Sequence, residues 1–334
     1  MPGRPIGSLP RVSPEFSPHS DALGIDLGDA GTVIEIQDLT KRYRGRAVVD
    51  RLSFDVKPGA VTGFLGPNGA GKTSTLRILL GLARPDAGTA LIGGRSYADL
   101  DRPLCHVGAL IDAGSIHSGR SARAHLTALA AANGISRGRV GQVLDMVGMD
   151  SQAGVRVGKF SLGMRQRLGI AAALLGDPSV LILDEPINGL DPDGVRWIRE
   201  LLRGLASEGR TVLLSSHLMS EMELTADRLV IIGRGAMIAD TSVAELAAEY
   251  SQGVSVRSPQ TAELTEALAR VGAQVRATSD GALIVTGPTA PQIAELAAGD
   301  GIVLHEVSSQ KSTLEDAYMR LTADASEFRG GDAR

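Results

Sequence analysis

The sequence predicts an α/β fold built on a mixed sheet, interrupted by a helical insertion and followed by a small α+β domain. Three observations predict it. Short apolar runs alternate with helical periodicities between about Ala60 and Gly233, as in a parallel sheet flanked by helices. An Ala-rich stretch of helical spacing intervenes between about Arg95 and Gly169. After about Ser251 the periodicity changes to the order βαββαβ.

The composition bounds these readings. A chain of 334 residues with 43% hydrophobic content can bury one substantial core and a second, smaller one. A formal net charge of −4 argues against a protein that coats nucleic acid through counterion release, so no nucleic-acid partner is expected. The single cysteine, Cys105, cannot form an intrachain disulfide, and no paired Cys or His spacing resembles a zinc site. A reducing, cytosolic setting follows as the expectation. No run approaches the roughly 20 apolar residues of a membrane helix, so the chain is not expected to span a bilayer by itself.

In chain order, residues 1–31 are rich in Pro, Ser and Gly and lack the apolar core of a secretory signal, which predicts a flexible arm. The segments VIEIQDL from Val33 and VVDRLSFDV from Val48 alternate at the strand period and read as antiparallel strands. AVTGFLG from Ala60 reads as a buried strand ending in a glycine loop, and TSTLRILLGL from Thr73 as the helix after it. The helical insertion is placed at about 97–168, with SARAHLTALAAA and GRVGQVLDMVGM as its clearest helices. Strand and helix then alternate through SVLILDE, VRWIRELLRGLA, TVLLSS and RLVIIG, which closes a first domain at 32–250. Residues 251–323 form the second domain, of ferredoxin-like type, ending in an amphipathic helix that carries Leu314, Ala317, Tyr318 and Leu321. Residues 324–334 are expected to be disordered.

Two motifs carry chemistry. GPNGAGKTS satisfies the phosphate-loop pattern GxxxxGK[ST], and it sits between a strand and a helix as that pattern demands. Gly66, Pro67, Asn68, Gly69, Ala70 and Gly71 would wrap the phosphates with backbone N–H groups at a helix N-terminus. Lys72 would reach the β- and γ-phosphates, Thr73 would coordinate Mg²⁺, and Ser74 would touch the α-phosphate. In VLILDEP, an apolar strand ends in two carboxylates: Asp184 would hold Mg²⁺ and Glu185 would polarise the attacking water.

With both motifs in place, the block FSLGMRQRLGIAAALLGDPSVLILDEPINGLDP from Phe160 to Pro192 resembles the signature, Walker B and D-loop region of the ABC ATPases. The resemblance covers about Val33 to Glu249 and implies a P-loop NTPase of ABC type. It implies that Ser161 and Gly163 contact the γ-phosphate of ATP held by a second copy, and that Asp191 lies in the D-loop at that interface. It implies that Tyr43 stacks on adenine and that His217, after the strand TVLLSS, is the switch histidine that contacts the γ-phosphate and the water. Leu162 stands where the family's first signature glycine is usual, Met164 where Gln is usual, and Asp112 where the Q-loop glutamine is usual. At that place the carboxylate of Asp112 would touch Mg²⁺ or water.

The SLGM signature and the acidic Asp112 are similar to the drug-export and antibiotic-resistance branch, whose permeases are of the ABC-2 kind. The resemblance implies a Mg-dependent, homodimeric ATPase, with ATP at the dimer interface, that drives an integral membrane permease subunit from the cytoplasmic side. Drug, antibiotic or other hydrophobic cargo is the implied export. The second domain and its LEDAYMRLT ending resemble the accessory domain of such exporters, which implies support of dimerisation. The competing reading is a non-transport ABC ATPase, regulatory or associated with ribosomes or DNA.

Overall fold

Alternating apolar positions make a small antiparallel sheet at the start of the described chain. The structure is a computed structural model, which describes residues 33–249, 253–278 and 281–309 together with 315, 316, 318, 319 and 321. Strands β1 (Ile34–Tyr43) and β2 (Arg46–Val56) pair with Ile34 opposite Val56, and both residues are fully buried. After β3 (Val61–Leu65) and helix α1 (Lys72–Leu79), strand β4 (Ala87–Ile92) joins the other edge of β1, so the sheet order is β2-β1-β4. The chain reaches β5 (Val107–Leu110), then helices α2 (Ala122–Ala132), α3 (Arg137–Met146) and α4 (Leu162–Ala173). It then runs through β6 (Val180–Asp184), α5 (Pro192–Ser207), β7 (Thr211–Ser216), α6 (Met219–Thr225), β8 (Arg228–Gly233) and β9 (Ala236–Ser242).

The main sheet has the order β5-β6-β7-β3-β8-β9, parallel throughout except for β9 at its edge. Strands β3, β6 and β7 are buried at every position, which fits the apolar runs that make up most of their lengths. Their registers bring three carboxyl ends together, with Leu65 beside Ser216 and Asp184 beside Ser215. A site belongs at such a convergence of strand ends. The two sheets meet where the Asp50 N–H donates to the Gly235 carbonyl at 2.8 Å and the Gly235 N–H to the Ala70 carbonyl at 3.0 Å.

Two strands differ from the sequence reading. β5 lies inside the segment read as helical insertion, yet it pairs with β6 as part of the core sheet. Its four residues include Gly108, where a Cβ would strike the Ala173 carbonyl oxygen at 2.1 Å, so close packing of α4 removes the side chain that would have signalled a strand. β4 is exposed at its first three positions and shows no alternation.

The chain divides into two compact units between Ser242 and Val243. Helix α7 (Val243–Glu249) therefore groups with the second unit, ahead of the expected boundary after residue 250. That unit continues as β10 (Val254–Arg257), α8 (Thr261–Arg270), β11 (Gln274–Ala277), β12 (Leu283–Thr286), α9 (Ala290–Gly299) and β13 (Glu306–Ser309). Its sheet is antiparallel in the order β11-β12-β10-β13, over a core of Val254, Val256, Leu264, Leu268, Val285 and Ile293. Of the closing helix, Glu315, Asp316, Tyr318, Met319 and Leu321 are described and helical, while Leu314 and Ala317, the expected arm 1–31 and the expected tail 324–334 lie outside the described residues.

Candidate active site

Strand β3 delivers the chain to Gly66, and the loop that follows turns through left-handed backbone at Gly69 (φ +81°) and Gly71 (φ +110°) before α1 begins at Lys72. Gly66 and Gly71 also lie against other main chain. A Cβ on Gly66 would come within 2.6 Å of the Ile232 carbonyl oxygen, and one on Gly71 within 2.6 Å of the Val48 carbonyl oxygen. The result is a cavity of about 320 Å³ lined by the loop from Pro67 to Ser74, Val48, Glu185, Asn188 and His217. The N-terminus of α1 opens into it, which suits an anion.

The Lys72 side chain is 6% exposed. Its Nζ donates to the Gly66 carbonyl at 2.6 Å and lies 3.7 Å from Glu185 Oε1. Burial holds the ammonium below the usual lysine range, and the carboxylates of Glu185 and Asp184 pull the other way. A cation so placed in a small anion-shaped cavity is poised to neutralise phosphate charge.

Asp184 is the last, buried residue of β6, and both its oxygens accept hydrogen bonds. The Thr73 hydroxyl donates to Oδ2 at 2.7 Å, and the Ser215 hydroxyl donates to Oδ1. Glu185 follows in left-handed backbone, φ +50°, a conformation that costs a non-glycine residue about 1–2 kcal/mol. Several contacts hold it there. Its N–H donates to the Ser215 carbonyl at 3.2 Å and the Ser215 hydroxyl at 3.1 Å, and its carbonyl accepts from Gln166 Nε2 at 2.9 Å. Its Oε2 lies 2.8 Å from His217 Nδ1 and 3.4 Å from Asn188 Nδ2. The twist turns the carboxylate away from the strand line toward the phosphate cavity.

Comparison with known proteins gives the family. The ABC transporter family matches residues 49–188, and a second family, described as a domain of unknown function, matches residues 252–315. The chain is 37% identical to an uncharacterised ABC transporter ATP-binding protein, YhcH, of Bacillus subtilis (strain 168), over 89% of this chain and 98% of that one. This chain belongs to the ABC transporter ATP-binding family. It is also 43% identical to the bacitracin transport ATP-binding protein BcrA of Bacillus licheniformis, over 62% of this chain and 69% of that one. A solved ATP-binding subunit of an ABC transporter matches 66% of this chain and 93% of its own with a TM-score of 0.60 at 27% identity. The fold is therefore that of an ABC ATPase, and its nucleotide is ATP.

The remaining residues expected in an ABC site lie apart from the phosphate cavity. Ser161 caps α4 by accepting from the Met164 N–H at 3.2 Å, and Asp191 caps α5 by accepting from the Gly194 N–H at 2.9 Å. Gly163 packs on the turn before α5: a Cβ there would meet the Gly189 carbonyl oxygen at 2.7 Å. Tyr43 is 47% exposed, with the Lys41 ammonium 5.4 Å from its ring centre. None of these four lines the cavity.

Asp112 also lies outside the phosphate cavity. Its carboxylate accepts from the Gly114 N–H at 2.7 Å and so caps a short turn, lining a separate cleft with Tyr97 and His125.

Sequence reasoning missed Ser215, Gln166 and Asn188. Ser215 carried a signal, because a strand neighbouring β6 in an open parallel sheet must end beside Asp184. Gln166 and Asn188 carried none, since only the fold brings α4 against the residues after β6.

The residues present would fit a divalent cation. Thr73 lines the cavity, and its hydroxyl and the Asp184 carboxylate to which it donates are hard oxygen ligands. No group of three or more His, Cys, Asp or Glu side chains forms a metal cage among the described residues. That suits Mg²⁺, which is held by one or two protein oxygens together with substrate phosphates.

Proposed function

We propose that this chain is the ATP-hydrolysing subunit of an exporter, working as a homodimer on the cytoplasmic side of a separate integral membrane permease of the ABC-2 kind. Drugs, antibiotics or other hydrophobic compounds are the proposed cargo. The observation that carries the reading is the convergence of Lys72, Thr73, Glu185 and His217 on one cavity, with Asp184 reached through the Thr73 hydroxyl. No helix among the described residues is long and apolar enough to cross a membrane, which fits a motor that relies on a separate permease. The resemblance to the bacitracin transport protein favours the cargo class.

The residues divide the work. Loop N–H groups and Lys72 bind the β- and γ-phosphates and offset the charge that develops on them. Thr73 and Asp184 would hold Mg²⁺, which when bound neutralises phosphate oxygens and orients them. Glu185 accepts a hydrogen bond from the attacking water, and His217 orients the Glu185 carboxylate through Nδ1. Ser161, Gly163 and Asp191 do not line the chain's own cavity, and in a closed dimer they would complete the site of the second copy. Tyr43 stacks on the adenine.

Affinity purification from solubilised membranes tests the proposal. The expected result is one polytopic membrane protein recovered in stoichiometric amount, with its lipid-reconstituted complex hydrolysing ATP faster than the chain alone. Recovery with ribosomes or DNA, and no membrane protein, would favour the non-transport reading.

A further inference from the structure

Helix α4 touches the segment that carries Glu185 at two places. Leu162, the first residue of the helix, is 58% exposed, yet its side chain lies across Gly189. A Cβ on Gly189 would come within 2.5 Å of both Cγ and Cδ2 of Leu162. One helical turn on, at i+4 and so on the same face, Gln166 is 5% exposed and donates to the Glu185 carbonyl at 2.9 Å. Between the two contacts the chain is tightly folded. The Asn188 N–H donates to the Glu185 carbonyl and the Leu190 N–H to the Ile187 carbonyl, each at 3.2 Å, and Gly189 sits at φ +77°.

An exposed leucine adds little to a core, so burial alone does not account for this packing. Restraint of the turn does. Glu185 occupies a sparsely populated backbone region, and such a conformation persists only where its surroundings over-determine it. The hydrogen bonds to Ser215 hold the N-terminal side of Glu185; the segment beyond its carbonyl is held by α4.

We infer that Leu162 and Gln166 are positioning residues for Glu185, clamping the Glu185–Leu190 segment so that the carboxylate faces the phosphate cavity. The inference rests on Glu185 acting on the attacking water. It gives the unusual Leu162 a task inside its own chain: a leucine at this place supplies a contact that a glycine cannot.

The test is steady-state ATP hydrolysis by the full chain, with nucleotide affinity measured separately by calorimetry with ATP. Misplacement by 1 Å costs on the order of 100-fold, which sets the ceiling; Gln166→Leu is expected to lower kcat about 30-fold and Leu162→Gly about 5-fold. KM and ATP affinity stay within about 2-fold in both, because the phosphate contacts are unaltered. Leu162→Met restores most of the rate. The double variant falls no further than Gln166→Leu alone, since both act on one segment. Wild-type kcat in Leu162→Gly, a raised KM in place of a lowered kcat, or a double variant that loses the product of the single effects overturns the inference. If Gln166→Leu fails to fold, the Leu162→Gly and Leu162→Met pair decides alone. Glu185→Gln is run alongside: full turnover there refutes the reading of Glu185 itself, a result distinct from a dead Glu185→Gln beside unimpaired Leu162 and Gln166 variants.

Discussion

At the phosphate cavity, Lys72, Asp184 and Ser215 are buried and find partners within the chain, whereas at the start of α4 Ser161 and Leu162 are exposed. The contrast is chemical. The cavity gathers the Lys72 ammonium, the Glu185 carboxylate and the loop from Pro67 to Ser74 around one volume. The start of α4 presents a capped helix N-terminus, suited to an anion, that lies outside that volume. On the proposed reading, one region is half of a hydrolytic site and the other completes such a half in a second copy.

The largest effect should come from the cavity. Glu185→Gln is expected to retain ATP affinity while kcat falls about 1,000-fold, within the range of general-base catalysis. Gel filtration with ATP should then show dimer, because ATP stays trapped between two copies; monomer alone would break the comparison. Next in size, Lys72→Ala should weaken ATP binding about 100-fold, the weight of hydrogen bonds to a charged group, as read by nucleotide titration. Ser161→Ala should behave differently. ATP affinity of the isolated chain stays unchanged while kcat falls about 10-fold, for the loss of one such bond across the dimer. An equal loss of affinity in the monomer would show that Ser161 serves its own cavity. The smallest effect belongs to Asp112→Asn, where ATPase rate and its magnesium dependence are expected to stay within about 2-fold, since an amide oxygen also caps a turn.

Much of the cavity was legible because its chemistry is local in the chain. GPNGAGKTS carries loop, lysine and hydroxyl within nine consecutive positions, and VLILDE carries strand and acids together. What was hidden depends on distant segments meeting. Gln166 reaches the Glu185 carbonyl only because α4 packs beside the end of β6, and Ser215 reaches Asp184 only across the sheet. The strands β4 and β5 were hidden for another reason. Gly88 and Gly108 replace the side chains whose alternation would mark a strand, and each lies against backbone that a Cβ would strike. Asp112, named through the family resemblance, accepts a hydrogen bond from the Gly114 N–H within its own turn, a contact that its sequence position alone does not reveal.

The wall behind the phosphate loop is a peptide group. The Val48 carbonyl oxygen abuts both Gly71 and Gly235, where a Cβ would approach to 2.6 Å in each case. Every residue supplies that carbonyl oxygen, so position 48 can vary and keep this backbone contact, although its side chain also lines the phosphate cavity. Gly71 and Gly235 cannot, although each has the smallest side chain available. In this corner of the protein, heritable variation is set by which atoms are shared by all residues and not by which residue is largest.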